Sequence, residues 1–284
     1  MDAGSVAASG TLYVVATPLG HLGDLTARAR EVLCVVPIVA AEDTRHTRKL
    51  LTHIGATPRL LSFHAHSPPT RVGQILEALS AGSDVALVSD AGTPGISDPG
   101  ASLVRTVRTA GLPVVPIPGA SAVAAALSAA GLPADRFLFL GFLPRKGAER
   151  RRVIERATSE EWTTVIFEAP PRLSALLTEL AGVAEPDRRA VVCRELTKVH
   201  EEIREGSLAE LADHYAATPP RGEITVLLDG TGKERKPPPD LDALRSEAQA
   251  LLGEGLSRRS VVGRLTESSG VPRNEIYRLV MELR

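Results

Sequence analysis

Short apolar runs with the composition of β-strands alternate with helical patterns through the first 131 residues of the chain. Strands are predicted at 11–16, 38–41, 59–62, 84–89 and 114–117, and helices at 25–33, 44–54, 70–81, 102–110 and 121–130. This alternation produces βαβ units, which assemble into a mainly parallel sheet. The sequence therefore predicts an α/β domain at residues 11–131, preceded by a flexible N-terminus at 1–10.

A second series of strands and helices follows the turn sequence Gly131-Leu132-Pro133. Its strands are predicted at 137–141, 163–167, 190–194 and 223–228, and its helices at 148–157, 172–181 and 208–216. The strand-rich ending predicts a mixed sheet in a second α/β domain at residues 132–230. A cleft between two such domains is the natural place for a ligand.

The remainder of the chain predicts a linker and a small helical domain. Residues 231–240 contain Lys233-Glu234-Arg235-Lys236 followed by three prolines, which is typical of a linker. Helices are predicted at 241–252, 257–266 and 273–283, a helix-turn-helix-like pattern that defines a domain at 241–284. Its arginines and acids are too evenly balanced to decide between a packing module and a nucleic-acid contact.

Composition argues against several classes of protein. A net charge of −1 argues against a uniformly basic nucleic-acid coat but leaves room for a local basic patch. Cys34 and Cys193 lie in apolar runs and are predicted to be small core residues, since two cysteines make neither a disulfide framework nor a Cys-rich zinc site. No apolar run approaches the roughly 18 residues of a membrane span, and the first ten residues lack a secretory pattern. The expected compartment is the reducing cytoplasm.

The most informative motif is Ser-Asp-Ala-Gly-Thr-Pro-Gly-Ile-Ser-Asp-Pro-Gly at residues 89–100, directly after a predicted strand. Its glycines allow positive φ and close approach of a ligand, while its prolines stiffen the loop. An ordinary connection between a strand and a helix needs only about 2–6 residues. In open α/β sheets, ligands bind at the carboxyl ends of strands. The motif therefore predicts a ligand-binding loop.

Other strand ends carry related motifs. Thr17-Pro18-Leu19-Gly20 ends the first strand, with Asp24 predicted as a helix N-cap, and Pro118-Gly119-Ala120-Ser121 repeats the arrangement with Ser121 as the cap. The first of these loops matches neither a dinucleotide fingerprint nor a P-loop. Glu42 and Asp43 follow the second strand, where acids could be functional or could simply compensate a helix dipole.

Two further patterns concern cations. His64-Ala65-His66 has no third ligand at a recognisable spacing, so no metal site is predicted. Five basic residues fall within eight positions, and they predict a site for RNA phosphates: Arg145, Lys146, Arg150, Arg151 and Arg152. The alternative is a solvated helix start, although bases are unfavourable at a helix N-terminus.

Six ordered motifs together resemble the tetrapyrrole methylase superfamily, and within it the methyltransferases of small-subunit ribosomal RNA. They are Thr17–Gly20 with Asp24, Ala41–Arg45, Ser89–Gly100, Pro118–Ser121, Phe167–Pro170 and Arg194–Lys198. The resemblance implies S-adenosylmethionine bound between two α/β domains, a homodimer, and methylation of a cytidine ribose 2′-oxygen in 16S rRNA near the decoding centre. The segment His64–Ser67 departs from the family pattern, in which an acid and an asparagine are expected in its second and fourth places.

The resemblance also implies site residues. Cofactor contacts are expected at Pro18, Asp90, Gly92, Thr93, Pro94, Ile96, Ser121, Ala122, Ala169 and Ile224. RNA contacts are expected at Arg45 and at the five basic residues above. The candidates for a general base are Glu42, Asp43, Glu168, Glu195 and Lys198. A ribose hydroxyl is a poor acid, so a carboxylate of ordinary pKa is a weak base for it, and a lysine of depressed pKa would serve better.

Two other functions remain open from the sequence. One is a methylase of a corrin or porphyrin precursor on the same fold, because tetrapyrrole carboxylates also attract arginines. The other is a non-catalytic RNA-binding assembly factor, against which the intact cofactor motif counts. Fold alone does not decide the substrate.

Overall fold

The computed structural model describes residues 9–185, 187–231, 241–269, 271 and 273–283. The chain divides into two compact units, Met1–Thr231 and Gly232–Arg284. Both sheets belong to the first unit. The predicted N-terminal segment before residue 9 and the predicted linker from residue 232 lie outside the described residues.

The first sheet contains five parallel strands in the order β3-β2-β4-β1-β5. The strands are β1 Leu12–Val15, β2 Ile38–Ala41, β3 Arg59–Ser62, β4 Val85–Val88 and β5 Val114–Ile117. Five helices connect them or follow them: α1 Ala27–Val35, α2 Thr44–Ile54, α3 Pro69–Ser80, α4 Ala101–Thr109 and α5 Ala122–Ala129. All four residues of the central β4 are buried, as expected for a parallel sheet covered on both faces.

Strand periodicity divides the core of this sheet into two layers. Val39 and Ala41 join the cluster that contains α1 and α2, whereas Ala40 joins the cluster that contains α3 and α4. Successive side chains of a strand point to opposite faces, so one short apolar strand supplies both layers.

The second sheet is mixed, in the order β6-β7-β10-β8-β9. Its strands are β6 Phe137–Phe142, β7 Thr163–Glu168, β8 Arg189–Arg194, β9 Glu202–Ser207 and β10 Ile224–Leu228. Only β6 and β7 pair in parallel, and the other neighbours are antiparallel. Helices α6 Gly147–Ser159, α7 Leu173–Ala181 and α8 Leu208–Ala217 cover one face. Helix α5, which follows β5 of the first sheet, covers the other face.

The second unit is a cluster of three helices: α9 Leu241–Gly253, α10 Arg258–Ser269 and α11 Arg273–Glu282. Leu244, Val261, Leu265 and Ile276 are among its buried side chains. No helix among the described residues is long and apolar enough to cross a membrane.

The predicted fold class is confirmed, with two α/β halves and a helical C-terminal part. Strand β9 was not predicted, because its charged sequence has a low strand propensity; charge is typical of an edge strand, and β9 is one. Two local predictions were wrong. Cys34 is exposed, and Thr26 rather than Asp24 caps α1. Ser121 is the N-cap residue of α5, as predicted, although its side chain makes no capping hydrogen bond.

Candidate functional site

A cavity of about 410 Å³ lies where the carboxyl ends of β1, β2, β4 and β5 face the second sheet. The second sheet contributes the ends of β6, β7 and β8 and the start of the antiparallel β10 to the same edge. This volume is within the usual range for a small-molecule site. The lining residues are Leu19, Glu42, Asp90–Thr93, Ile96–Asp98, Ser121–Val123, Phe142, Phe167–Pro170, Cys193, Leu196 and Gly222–Thr225.

Hydrogen bonds connect the loops that follow β1, β4 and β5 of the first sheet. The backbones of Thr17 and Gly92 exchange two hydrogen bonds of 2.9 Å, and the Thr93 hydroxyl donates to the carbonyl of Ala120 at 3.1 Å. Gly92 has φ +81°, and a Cβ there would lie 3.3 Å from Leu19 Cδ2. The backbone conformation favours glycine at this position, and any larger residue would also have to displace the Leu19 side chain slightly.

Three carboxylates line the cavity from the first sheet: Glu42, Asp90 and Asp98. Burial raises the pKa of Glu42, and the charges of Asp98 and Asp90 raise it further. Burial is also the main cause that raises the pKa of Asp98 to about 6; a hydrogen bond from Ser89 opposes this, and the charges of Asp90 and Glu223 add to it. The prediction of site residues missed Asp98, although its position in the Ser89–Gly100 loop was the signal that could have identified it.

The same loop contacts the second sheet through Ser97. Ser97 has φ 61°, unusual for a residue with a side chain, and a Cβ on Gly141 would lie only 2.6 Å from Ser97 Oγ. Gly141 has φ +62° and lies where the pairing of β6 with β7 shifts register. The irregularity of β6 therefore makes room for the loop and sets Asp98 beside both halves of the cavity.

Two of the predicted general bases have structural partners instead. Asp43 Oδ1 accepts from the backbone nitrogen of Arg45 at 2.7 Å, so Asp43 caps α2 and does not line the cavity. Glu168 lines the cavity but is buried and ion-paired with Arg150 and Arg172. Both carboxylates therefore contact partners within the protein.

Glu195 and Lys198 form an ion-pair network with Glu223. Lys198 Nζ lies 2.8 Å from Glu195 Oε1 and 3.2 Å from Glu223 Oε2. Burial opposes charge on Lys198, but the two glutamates outweigh it, so the pKa of Lys198 is raised. Burial likewise opposes charge on Glu195, and the hydrogen bonds from Lys198 and the Glu223 backbone outweigh it, so its pKa is lowered. The lysine of depressed pKa considered from the sequence is therefore not found here.

Most of the predicted cofactor contacts meet at the cavity: Asp90, Gly92, Thr93, Ile96, Ser121, Ala122, Ala169 and Ile224. Pro18 and Pro94 do not line it. Pro94 faces a separate hollow shared with Val14 and Leu112. Cys193 lines the cavity, but burial raises its pKa to about 12, which keeps the thiol protonated.

The predicted basic cluster is divided by the periodicity of α6. Arg145, Lys146, Arg151 and Arg152 are exposed. Arg150 is only 6% exposed, because positions 150, 154 and 157 form the buried stripe of the helix. Its Nε donates to Glu179 at 2.8 Å and its Nη1 to the carbonyl of Pro144 at 3.0 Å. Arg150 is thus not available for RNA phosphates, which corrects the prediction. Arg45 is exposed on α2.

Within the part of the chain that the structure describes, no group of three or more His, Cys, Asp or Glu side chains could hold a metal ion. The His64 and His66 rings lie 6.4 Å apart, and the backbone nitrogen of His66 donates to His64 Nδ1 at 3.2 Å. The orientation of the His64 ring is therefore explained by a hydrogen bond within its own loop.

Comparison with known families and proteins gives a consistent result. The family model described as Tetrapyrrole (Corrin/Porphyrin) Methylases matches residues 11–212. The chain is 44% identical over 274 residues to "Ribosomal RNA small subunit methyltransferase I" of Synechocystis sp., covering 96% of this chain and 98% of that protein. It is 44% identical over 280 residues to the protein of the same name in Pseudomonas aeruginosa, with the same coverage of both.

Solved structures share the fold. A cobalt precorrin-4 methyltransferase superposes with a TM-score of 0.61 at 19% identity, over 77% of this chain and 94% of that one. A uroporphyrin-III C-methyltransferase from Thermus thermophilus, complexed with S-adenosylhomocysteine, superposes with a TM-score of 0.57 at 20% identity, over 78% and 97%. At these identities the likeness concerns architecture alone.

Proposed function

The chain belongs to the tetrapyrrole methylase family and, within it, to the ribosomal RNA small subunit methyltransferase I group, and we propose that it methylates the 2′-oxygen of a cytidine ribose in 16S rRNA near the decoding centre. The observation that carries this proposal is identity of 44% across 96% of the chain, which extends past residue 212 into the helical C-terminal unit. The proposed methyl donor is S-adenosylmethionine.

The side chains of the cavity suit this donor. S-adenosylmethionine supplies a methyl group activated by a positively charged sulfonium. The carboxylates of Glu42, Asp90 and Asp98 offer negative charge in a partly buried place, which favours a cation. Leu19 and Val123 offer apolar surface to an adenine ring. The residues proposed to hold the donor are Asp90, Gly92, Thr93, Ile96, Ser121, Ala122, Ala169 and Ile224.

We assign the acceptance of the ribose proton to Asp98, with Glu42 as its neighbour. A general base works best when its pKa lies near the working pH, and a pKa of about 6 makes Asp98 a stronger base than an ordinary carboxylate while leaving it ionised at pH 7. Alignment of the acceptor oxygen with the methyl group supplies the rest of the rate enhancement, because the donor is already activated.

The proposed RNA contacts are Arg45, Arg145, Lys146, Arg151 and Arg152, which are exposed. Exposed cations supply the sequence-independent part of RNA affinity through phosphate contacts.

We further propose a cytoplasmic homodimer. Closed two-fold assemblies are the commonest oligomers, and Val199 and Ile203 are exposed apolar side chains in the second half of the chain. Light scattering should give twice the mass of one chain.

Methyl transfer from labelled S-adenosylmethionine tests the function directly. Naked 16S rRNA, small subunits that lack the methyl group, and uroporphyrinogen are offered in parallel. We expect label in RNA or subunits and none in the tetrapyrrole, with the modified position resistant to alkaline hydrolysis because its 2′-oxygen is blocked. Label in uroporphyrinogen would instead assign the chain to tetrapyrrole methylation. Donor binding without transfer to any acceptor would favour a non-catalytic assembly factor.

A further inference from the structure

Aromatic side chains are scarce in this chain, and two of its five phenylalanines, Phe142 and Phe167, line the cavity, while Phe139 packs behind them. Phe139 and Phe142 each approach Phe167 edge to face, at 5.0 Å and 5.6 Å between ring centroids. Such pairs hold each ring in a fixed orientation. The cavity therefore has one aromatic wall, built entirely from β6 and β7 of the second sheet.

Phe142 is the outermost ring of this wall. It lines the cavity, yet it is 56% exposed, more than any other large apolar side chain in the lining. Burying Phe142 would gain free energy, and the neighbouring Leu143 is buried at 3% exposure. The fold thus leaves a rigidly supported aromatic ring in solvent at the mouth of the cavity.

Exposed cations follow this ring directly along the chain. Arg145 and Lys146 come three and four residues after Phe142, and Arg151 lies on the first turns of α6. Exposed aromatic rings combined with basic residues are the usual means of binding unpaired nucleotides, in which the base stacks on the ring and the phosphates meet the cations.

We propose that Phe142 is the platform on which an unstacked nucleobase of the acceptor RNA lies while its ribose enters the cavity. This inference rests on the proposed function and adds the residue that positions the acceptor nucleotide. The cavity has the size of a site for one small ligand, so the donor occupies its depth and the nucleotide reaches it from the mouth. The proposed donor contacts belong mostly to loops of the first sheet, whereas Phe142 belongs to the second.

The substitution Phe142→Ala tests the platform, with Phe142→Trp as the conservative variant. Phe137→Ala is the matched control, because Phe137 lies on the same strand and is 43% exposed but does not line the cavity. Filter binding of unmethylated small subunits, in the presence of S-adenosylhomocysteine, is compared with methyl-transfer kinetics and with donor affinity from calorimetry. Filter binding reports on the platform even in the absence of turnover.

We expect Phe142→Ala to weaken subunit binding and raise KM by roughly five- to 150-fold, the range for removing one base–aromatic stack. Phe142→Trp should restore most of the affinity, and Phe137→Ala should bind like the wild type. Donor affinity should be the same in all variants. An unchanged subunit affinity in Phe142→Ala would overturn the platform while leaving the function intact.

Two other results would also overturn the platform. Weaker donor binding in Phe142→Ala, at unchanged subunit affinity, would assign the ring to the adenine of the donor. A fall in molecular mass by light scattering would assign it to an interface with a second copy. If the wild type neither bound nor methylated any RNA, the proposed function itself would fail.

Discussion

The two halves of the cavity both carry carboxylates near their strand ends, but the carboxylates of the two halves differ in their pKa values and in their ion-pair partners. On the first sheet, Glu42 and Asp98 have raised pKa values, and no lysine or arginine in the described part of the chain forms an ion pair with them. On the second sheet, the lining residue Glu168 is paired with two arginines. Lys198 pairs with the lining residue Glu223 and with Glu195, which does not line the cavity. The difference teaches that the partners of an acid, rather than its place after a strand, decide whether it is available for chemistry.

The comparison assigns proton acceptance to the first sheet. Asp98→Asn should lower kcat by about 100-fold or more, which is the usual contribution of a general base. The corresponding change on the second sheet, Glu195→Gln, should have a much smaller effect. For the wild type, kcat/KM at low donor concentration should rise with pH through about 6 and then level off, because Asp98 must lose its proton to act as the base.

Calorimetry of donor binding separates this assignment from a weakened donor affinity. Full activity in Asp98→Asn, or equal losses of activity in Asp98→Asn and Glu195→Gln, would remove the contrast between the two sheets.

The second half of the comparison concerns stability. Glu168→Gln removes the negative charge between Arg150 and Arg172, leaving Arg150 buried with Glu179 as its remaining acidic partner among the residues that the structure describes. We expect the free energy of unfolding to fall by about 3 kcal/mol, since breaking a buried ion pair from one side leaves an uncompensated charge. Glu195→Gln, in a more exposed pair, should cost about 1 kcal/mol or less. Urea titration of both variants measures the difference, and equal destabilisation would contradict it.

Gly92→Val tests the loop that carries the acids of the first sheet. Valine disfavours φ +81°, and its Cβ would press on Leu19 at the cavity wall. We expect donor affinity to fall at least about tenfold, close to 1.4 kcal/mol, in a protein that still folds. Gly111→Val is the matched control, because Gly111 also has positive φ but no atom lies within 4 Å of its Cβ position. Unchanged donor affinity in folded Gly92→Val would place the donor elsewhere.

The exposed cations of α6 provide a contrast within one helix. Neutralising Arg151 and Arg152 together should flatten the salt dependence of subunit binding, by about 0.7–0.9 in log–log slope for each RNA phosphate that the protein no longer neutralises. Donor affinity should not change. Arg150→Gln should leave the slope as it is and lower stability instead, because Arg150 is buried among Glu168 and Glu179. A slope insensitive to Arg151 and Arg152 would make them an ordinary solvated helix face.

The sequence was sufficient to predict the alternating strands and a long loop at Ser89–Gly100, which lines the cavity, because apolar periodicity and the positions of glycine and proline are local signals. It was not sufficient to separate Arg150 from Arg151, which depends on which face of α6 is buried. It also could not distinguish Asp98 from Glu168, since the arginine partners of Glu168 lie 18 positions before it and four after it. Charge partners, and therefore pKa values, are properties of the tertiary structure.

The smallest expected effect is a higher free energy of unfolding in Asp98→Asn, the variant that we expect to lose activity. Asp98 has a pKa of about 6 in the folded protein and an ordinary value of 3.8. Between these values the folded state binds the proton more tightly than the unfolded state, so the free energy of unfolding of the wild type falls as pH rises from about 4 to 6. Above pH 6 the ionised carboxylate lowers the free energy of unfolding by a constant amount. A shift of two pKa units corresponds to at most about 3 kcal/mol, and partial exposure reduces this to about 1 kcal/mol. Asp98→Asn should therefore unfold at higher urea than the wild type at pH 7.5 and at the same urea below pH 4. If the variant were more stable than the wild type by the same amount at every pH, ionisation of Asp98 would not be what lowers the free energy of unfolding of the wild type.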